Sequence, residues 1–87
     1  MSEAWAKSFM EKLDKSYIWP ALYMFKFIVP KQKVSEVKEL FPLHVSKEKT
    51  SEKGKYISVT FNMMMPSSEA VVDVYQKVKH IEGIIAL

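Results

Sequence analysis

The chain has 87 residues, 48% of them hydrophobic, with a formal charge of +3 and a pI near 9.1. That is one domain at most, and a chain of this size buries only about 60% of its unfolded surface, so its core must be economical. The absence of cysteine excludes disulfides, thiolate catalysis and thiolate metal sites, and all 13 basic residues are lysine, so the bidentate grip of arginine on phosphates and base edges is missing.

Residues 2–15 are predicted to form an amphipathic helix. Ser2 is placed to cap it, Glu3 suits its positive end, and Trp5, Phe9 and Leu13 recur at four-residue steps with Ala6 and Met10 beside them. Charges at Glu3, Lys7, Glu11 and Lys12 make this segment unlike a signal peptide, and no apolar run approaches the ~20 residues needed to span a bilayer. A cytoplasmic protein is the expectation. Pro20 disfavours helix at Trp19 and marks a boundary. Residues 1–16 are accordingly read as an N-terminal helical extension and 17–87 as the domain proper.

Residues 21–29 alternate as a strand. Tyr23, Phe25, Phe27 and Val29 make the core side, while Lys26 marks the other side as open. Pro30 suits the first turn of a helix over 31–41, whose thin apolar stripe is Val34, Val37, Leu40 and Phe41, and Pro42 ends it. Residues 43–50 are a weak strand of Leu43, Val45 and then alternating charge. Ser51–Gly54 is a turn with Gly54 able to take positive φ. A long strand follows to Met65. It has Ile57, Val59, Phe61 and Met63 on one side, and Tyr56, Ser58, Thr60, Asn62 and Met64 on the other. After Pro66, Ser67 or Ser68 caps a helix with the stripe Val71, Val74, Val78, Ile81 and the exposed pair Asp73 and Lys77. His80 falls in its last turn, Gly83 suits its terminus, and Ile84–Leu87 is a last short strand.

The order is helix, then β-α-β-β-α-β. It predicts an α+β, ferredoxin-like βαββαβ sandwich: a four-stranded antiparallel sheet with two helices on one face, plus the N-terminal helix. The two longest, most apolar strands fall in the centre. The lysine-rich second strand falls at an edge, where charge deters aggregation.

Several runs carry a family resemblance: Trp19-Pro20, Tyr23 to Ile28 around Lys26, Gly54-Lys55-Tyr56-Ile57-Ser58-Val59-Thr60, and Ile81-Glu82-Gly83-Ile84. Over residues 13–87 the chain resembles the YbeD-like bacterial family, domain of unknown function 493. The resemblance implies a ferredoxin-like fold similar to ACT regulatory domains. It implies no established enzymatic activity, so no catalytic residue carries over. The chain departs in a shorter first domain helix and following loop, and in the N-terminal helix bearing Trp5 and Phe9.

Nothing in the residues themselves argues for an enzyme, and none is expected. His44 and His80 are the two histidines, and neither has metal-ligand spacing. Glu36 and Glu39 are one helical turn apart, as many solvated pairs are. With two glycines there is no phosphate-binding loop and no nucleophile elbow. No cofactor and no metal are expected.

Binding is expected on the open sheet face: Met24, Lys26 and Ile28 from one strand, Tyr56, Ser58, Thr60, Asn62 and Met64 from its neighbour. Lys26 is read as a lone cation there. It could hold a small anionic metabolite, with Ser58, Thr60 and Asn62 as hydrogen-bond partners. The simpler reading is a solvated polar face. RNA is disfavoured: Tyr56 fills one stacking position, but Ser58 fills the second and Tyr23 turns to the core. Lys47, Lys49, Lys53 and Lys55, interleaved with Glu48 and Glu52, read as a solvated hairpin tip before they read as a phosphate patch. A protein partner or homodimer is the third reading. It rests on Met64 at the open face, with Met63 and Met65 as core filler, and on Trp5, Phe9 and Leu13. These three can pack on the body, cover the open sheet, or join a second copy.

Overall fold

A computed structural model describes residues 3–87. The expected Ser2 cap lies outside the described residues. Helix α1 spans Glu3–Ser16, and Tyr17 N still donates to Leu13 O at its end. Strand β1, Ala21–Pro30, follows a cis Trp19–Pro20 bond. It pairs antiparallel with β3, Tyr56–Met65, along its whole length, from Ala21 opposite Met65 to Pro30 opposite Tyr56.

Both strands obey the period-two pattern. Phe25, Phe27, Val29, Val59 and Phe61 are fully buried, whereas Leu22, Met24, Lys26, Asn62 and Met64 are exposed. The sheet order is β2-β3-β1-β4, with β2 at Ser46–Thr50 and β4 at Ile85–Ala86. This is the ferredoxin-like arrangement. Helices α2, Val34–Leu40, and α3, Ser68–Val78, cover one face through Val37, Val71, Val74 and Val78. Ser67 caps α3, its Oγ accepting from Ala70 N at 3.1 Å.

Four local expectations are corrected. Lys31 N donates to Lys55 O at 3.0 Å, which keeps the chain on the line of β1. The helix predicted over 31–41 therefore opens as a 3-10 turn, Lys31–Lys33, and α2 begins at Val34. Phe41 turns into the core against Phe61, ring centroids 5.1 Å apart, and His44 N closes a turn onto Phe41 O. Leu43 and Val45 are left outside, so the strand predicted from residue 43 begins at Ser46. The α3 stripe outlasts its helix: Ile81 is buried, but α3 stops at Val78, and His80 lies exposed beyond it. Asp73 and Lys77 are not among the ion pairs of the described residues, which are Lys33–Glu36 and Lys38–Glu48.

Helix α1 packs on α3, on the helical side of the sheet. Leu13 is buried in the main core. Phe9 meets the edge of Tyr75 at 5.7 Å, Tyr75 meets Phe25 at 5.4 Å, and Trp5 stacks on Phe9. Within the chain Trp5, Phe9 and Leu13 pack on the body, and α1 leaves the second face of the sheet bare.

Candidate anion-binding sheet face

Strand alternation and register together build this face. Directly opposed residues of an antiparallel pair point to the same side. On β1 and β3, Lys26 stands opposite Thr60 and Ile28 opposite Ser58. On β3 and β2, Thr60 stands opposite Lys47 and Ser58 opposite Lys49. One row across three strands therefore reads Lys26, Thr60, Lys47, and the next reads Ile28, Ser58, Lys49.

Lys26 is not a lone cation, as the sequence suggested. Lys47 and Lys49 share its face, while Glu48 between them points to the other. There Lys38 of α2 donates to its carboxylate at 3.0 Å. That hydrogen bond, with a smaller contribution from Ser46, holds the Glu48 carboxyl below the ordinary glutamate range. Lys26, Lys47 and Lys49 make no ion pair among the described residues.

Strand spacing sets the dimensions. Lys26 and Lys47 are two strands apart, about 10 Å between backbones, and Lys47 and Lys49 two residues apart, about 7 Å. Thr60 lies between Lys26 and Lys47, Ser58 lies beside Lys49 in the next row, and both side chains are half-buried. The Ser58 hydroxyl donates to Lys49 O at 3.4 Å, and its oxygen keeps its capacity to accept. Asn62, opposite Met24, lies one row beyond, at the start of an apolar corner of Leu22, Met24 and Met64.

At the other end, beside Tyr56, is a hollow of about 310 Å³ lined by Ile28, Lys49, Ser51, Glu52, Tyr56 and Ser58. Tyr56 is 45% exposed there, and its backbone is pinned by its own N–H donating to Ser51 Oγ at 3.2 Å. The five predicted binding residues Lys26, Tyr56, Ser58, Thr60 and Asn62 thus share one face. Lys47 and Lys49, read from the sequence as a hairpin tip before a phosphate patch, were not assigned to this face, and the hollow was not foreseen. Their signal was the alternation Lys47-Glu48-Lys49, which sends both lysines one way and the acid the other.

A larger groove, about 750 Å³, lies on the helical side between α1, α3 and β4, lined by Trp5, Phe9, Tyr23, Tyr75 and Leu87. Two of its polar groups are spent on one another. The Tyr23 and Tyr75 hydroxyls share a hydrogen bond at 3.2 Å, and burial, helped by that bond, pushes the Tyr75 phenol well above its ordinary range. Trp5 Nε1 is buried with no partner among the described residues. The groove brings together Trp5 and Phe9 but offers one cation, Lys79, and no converging hydrogen-bond set.

Among the described residues no helix is long and apolar enough to cross a membrane. Neither the curated proteins nor the solved structures hold a match to the chain. The family described as protein of unknown function (DUF493) matches residues 15–87, beginning at the end of α1 and running through β4. A match over that much of the chain, on the fold just described, makes this protein a member of that family.

Proposed function

We propose that the chain is a cytoplasmic, non-enzymatic binding domain, regulatory in the manner of ACT-like domains, that takes a small anionic metabolite on its open sheet face. The observation that carries this reading is the row Lys26, Thr60, Lys47 beside Ser58 and Lys49. A carboxylate or phosphate over that row meets ammonium donors from two sides and hydroxyls from below, with no acid pointing the same way from β2. Solvated faces usually mix the signs of their charge; here the mixed signs of β2 are sorted by the pleat.

A panel of small carboxylates and phosphates in a thermal-shift assay tests the reading. A stabilising hit that Lys26→Ala and Ser58→Ala both weaken is the expected result. No hit across the panel, or hits indifferent to both variants, refutes it.

A second reading is association with a protein partner or a second copy. Leu22, Met24 and Met64 form a contiguous apolar corner, each more than half exposed. Light scattering that finds the chain monomeric, and unchanged by Met24→Lys, removes the self-association form of it.

A further inference from the structure

We infer that the open face takes a nucleoside polyphosphate, with the base in the Tyr56 hollow and the phosphates along Lys49, Lys47 and Lys26. This rests on the anion-binding reading above and gives it a ligand class. Three features converge.

The first is charge. Three cations without a carboxylate partner, two of them about 7 Å apart along β2 and the third facing them across β3, exceed what a single carboxylate needs and suit a chain of phosphates lying along β3. The second is the hollow. At about 310 Å³ it is at the lower end of small-ligand sites, and it begins where the lysines end, Lys49 and Ser58 belonging to both. It offers the ring of Tyr56 and the side chain of Ile28 as stacking surfaces, which accept any base. The third is polarity. Glu52 is the acid of the hollow, so phosphate is repelled from that end, while a base can donate an exocyclic amine to it.

The length fits as well. From Tyr56 to Thr60 along β3 is four residues, about 13 Å, the reach of an extended nucleotide from base to terminal phosphate. Tyr56 and Thr60 sit on the same side of the strand, so ligand and strand run parallel.

Isothermal titration of the full chain with ATP, tripolyphosphate and adenosine, without divalent metal, tests this. ATP is expected to bind at least about tenfold more tightly than tripolyphosphate, with adenosine weaker than both. Lys47→Ala and Lys49→Ala, both at exposed edge positions, should weaken ATP and tripolyphosphate by similar factors. Tyr56→Ala should reduce ATP to the tripolyphosphate level and leave tripolyphosphate unchanged. Lys79→Ala, on the helical side, should change nothing.

If tripolyphosphate binds as well as ATP, the nucleotide inference is overturned while the anion reading stands. If neither binds but a small carboxylate does, the inference is overturned in the same way. If no anion binds, both fall. A single-stranded RNA oligomer that binds far more tightly than ATP, with Tyr56→Ala weakening it, overturns the inference in favour of a polymer.

Discussion

Gly83 and Gly54 both hold positive φ, at 81° and 71°, but in different surroundings, and replacing each with alanine separates two costs. At Gly54 an added Cβ meets nothing within 4 Å, so Gly54→Ala costs the left-handed backbone alone, about 1 kcal/mol after the gain from a stiffer unfolded chain. At Gly83 the Cβ would lie 2.8 Å from Pro30 Cγ and 3.2 Å from Cδ. Pro30 cannot easily yield, because it ends the β1–β3 ladder opposite Tyr56 and the next amide is bonded to Lys55 O. The steric part adds an overpacking cost of about 1–3 kcal/mol, for about 2–4 kcal/mol in all.

Unfolding entropy for 87 residues is about 0.18 kcal/mol/K, so Tm should fall by about 5 °C for Gly54→Ala and by about 11–22 °C for Gly83→Ala. Calorimetry on both variants measures this. Pro30→Ala in the Gly83→Ala background should recover the steric part, as a coupling between the two sites. Equal Tm losses for the two glycine variants, or no coupling with Pro30→Ala, would refute the close-approach reasoning.

Three further outcomes follow from the packing. Ser67→Ala removes the cap of α3 and should cost about 1 kcal/mol by urea denaturation, with Ser67→Asp retaining most of it. In an absorbance titration of the phenols, Tyr75 should ionise last, and Tyr75→Phe should abolish that late component. Because its folded pKa is raised, the unfolded chain loses the proton first, so this group should lower stability as pH rises past 10. The Glu48 carboxyl is shifted the other way. Its contribution should be present above the ordinary glutamate pKa near 4.5 and be lost as pH falls below it, and Glu48→Gln should flatten that part of the acid limb.

The two long strands, β1 and β3, were legible because each carries its own evidence. Phe25, Phe27, Val59 and Phe61 alternate with polar or exposed neighbours, and that pattern is local. Where tertiary contacts decide, the sequence was mute or misleading. Leu43 and Val45 alternate like strand residues, yet the burial of Phe41 turns the chain away before they can pair. The partner of Phe9 is Tyr75, which lies beside the stripe Val71, Val74, Val78 and not in it, so the stripe did not announce where α1 docks. The lysine field was half legible. Alternation within 47–49 sorts the charges, but the pairing of Lys47 with Thr60, and hence with the row of Lys26, is a matter of register between segments far apart in the chain.

The shortness of β4 has a consequence for how β1 exchanges its amide protons. β4 meets β1 at Phe27 and Ile28, and Leu87 N adds a bond to Lys26 O, so the even-numbered backbone groups of β1 face β4. Toward the start of the strand no partner continues on that side among the described residues. The Leu22 and Met24 amides should therefore trade hydrogen for deuterium rapidly, while those of Tyr23 and Phe25, turned to β3, persist near the global unfolding limit. A single strand would then show fast and slow sites in strict alternation up to Phe25 and slower exchange from Lys26 to Ile28, where both sides are paired.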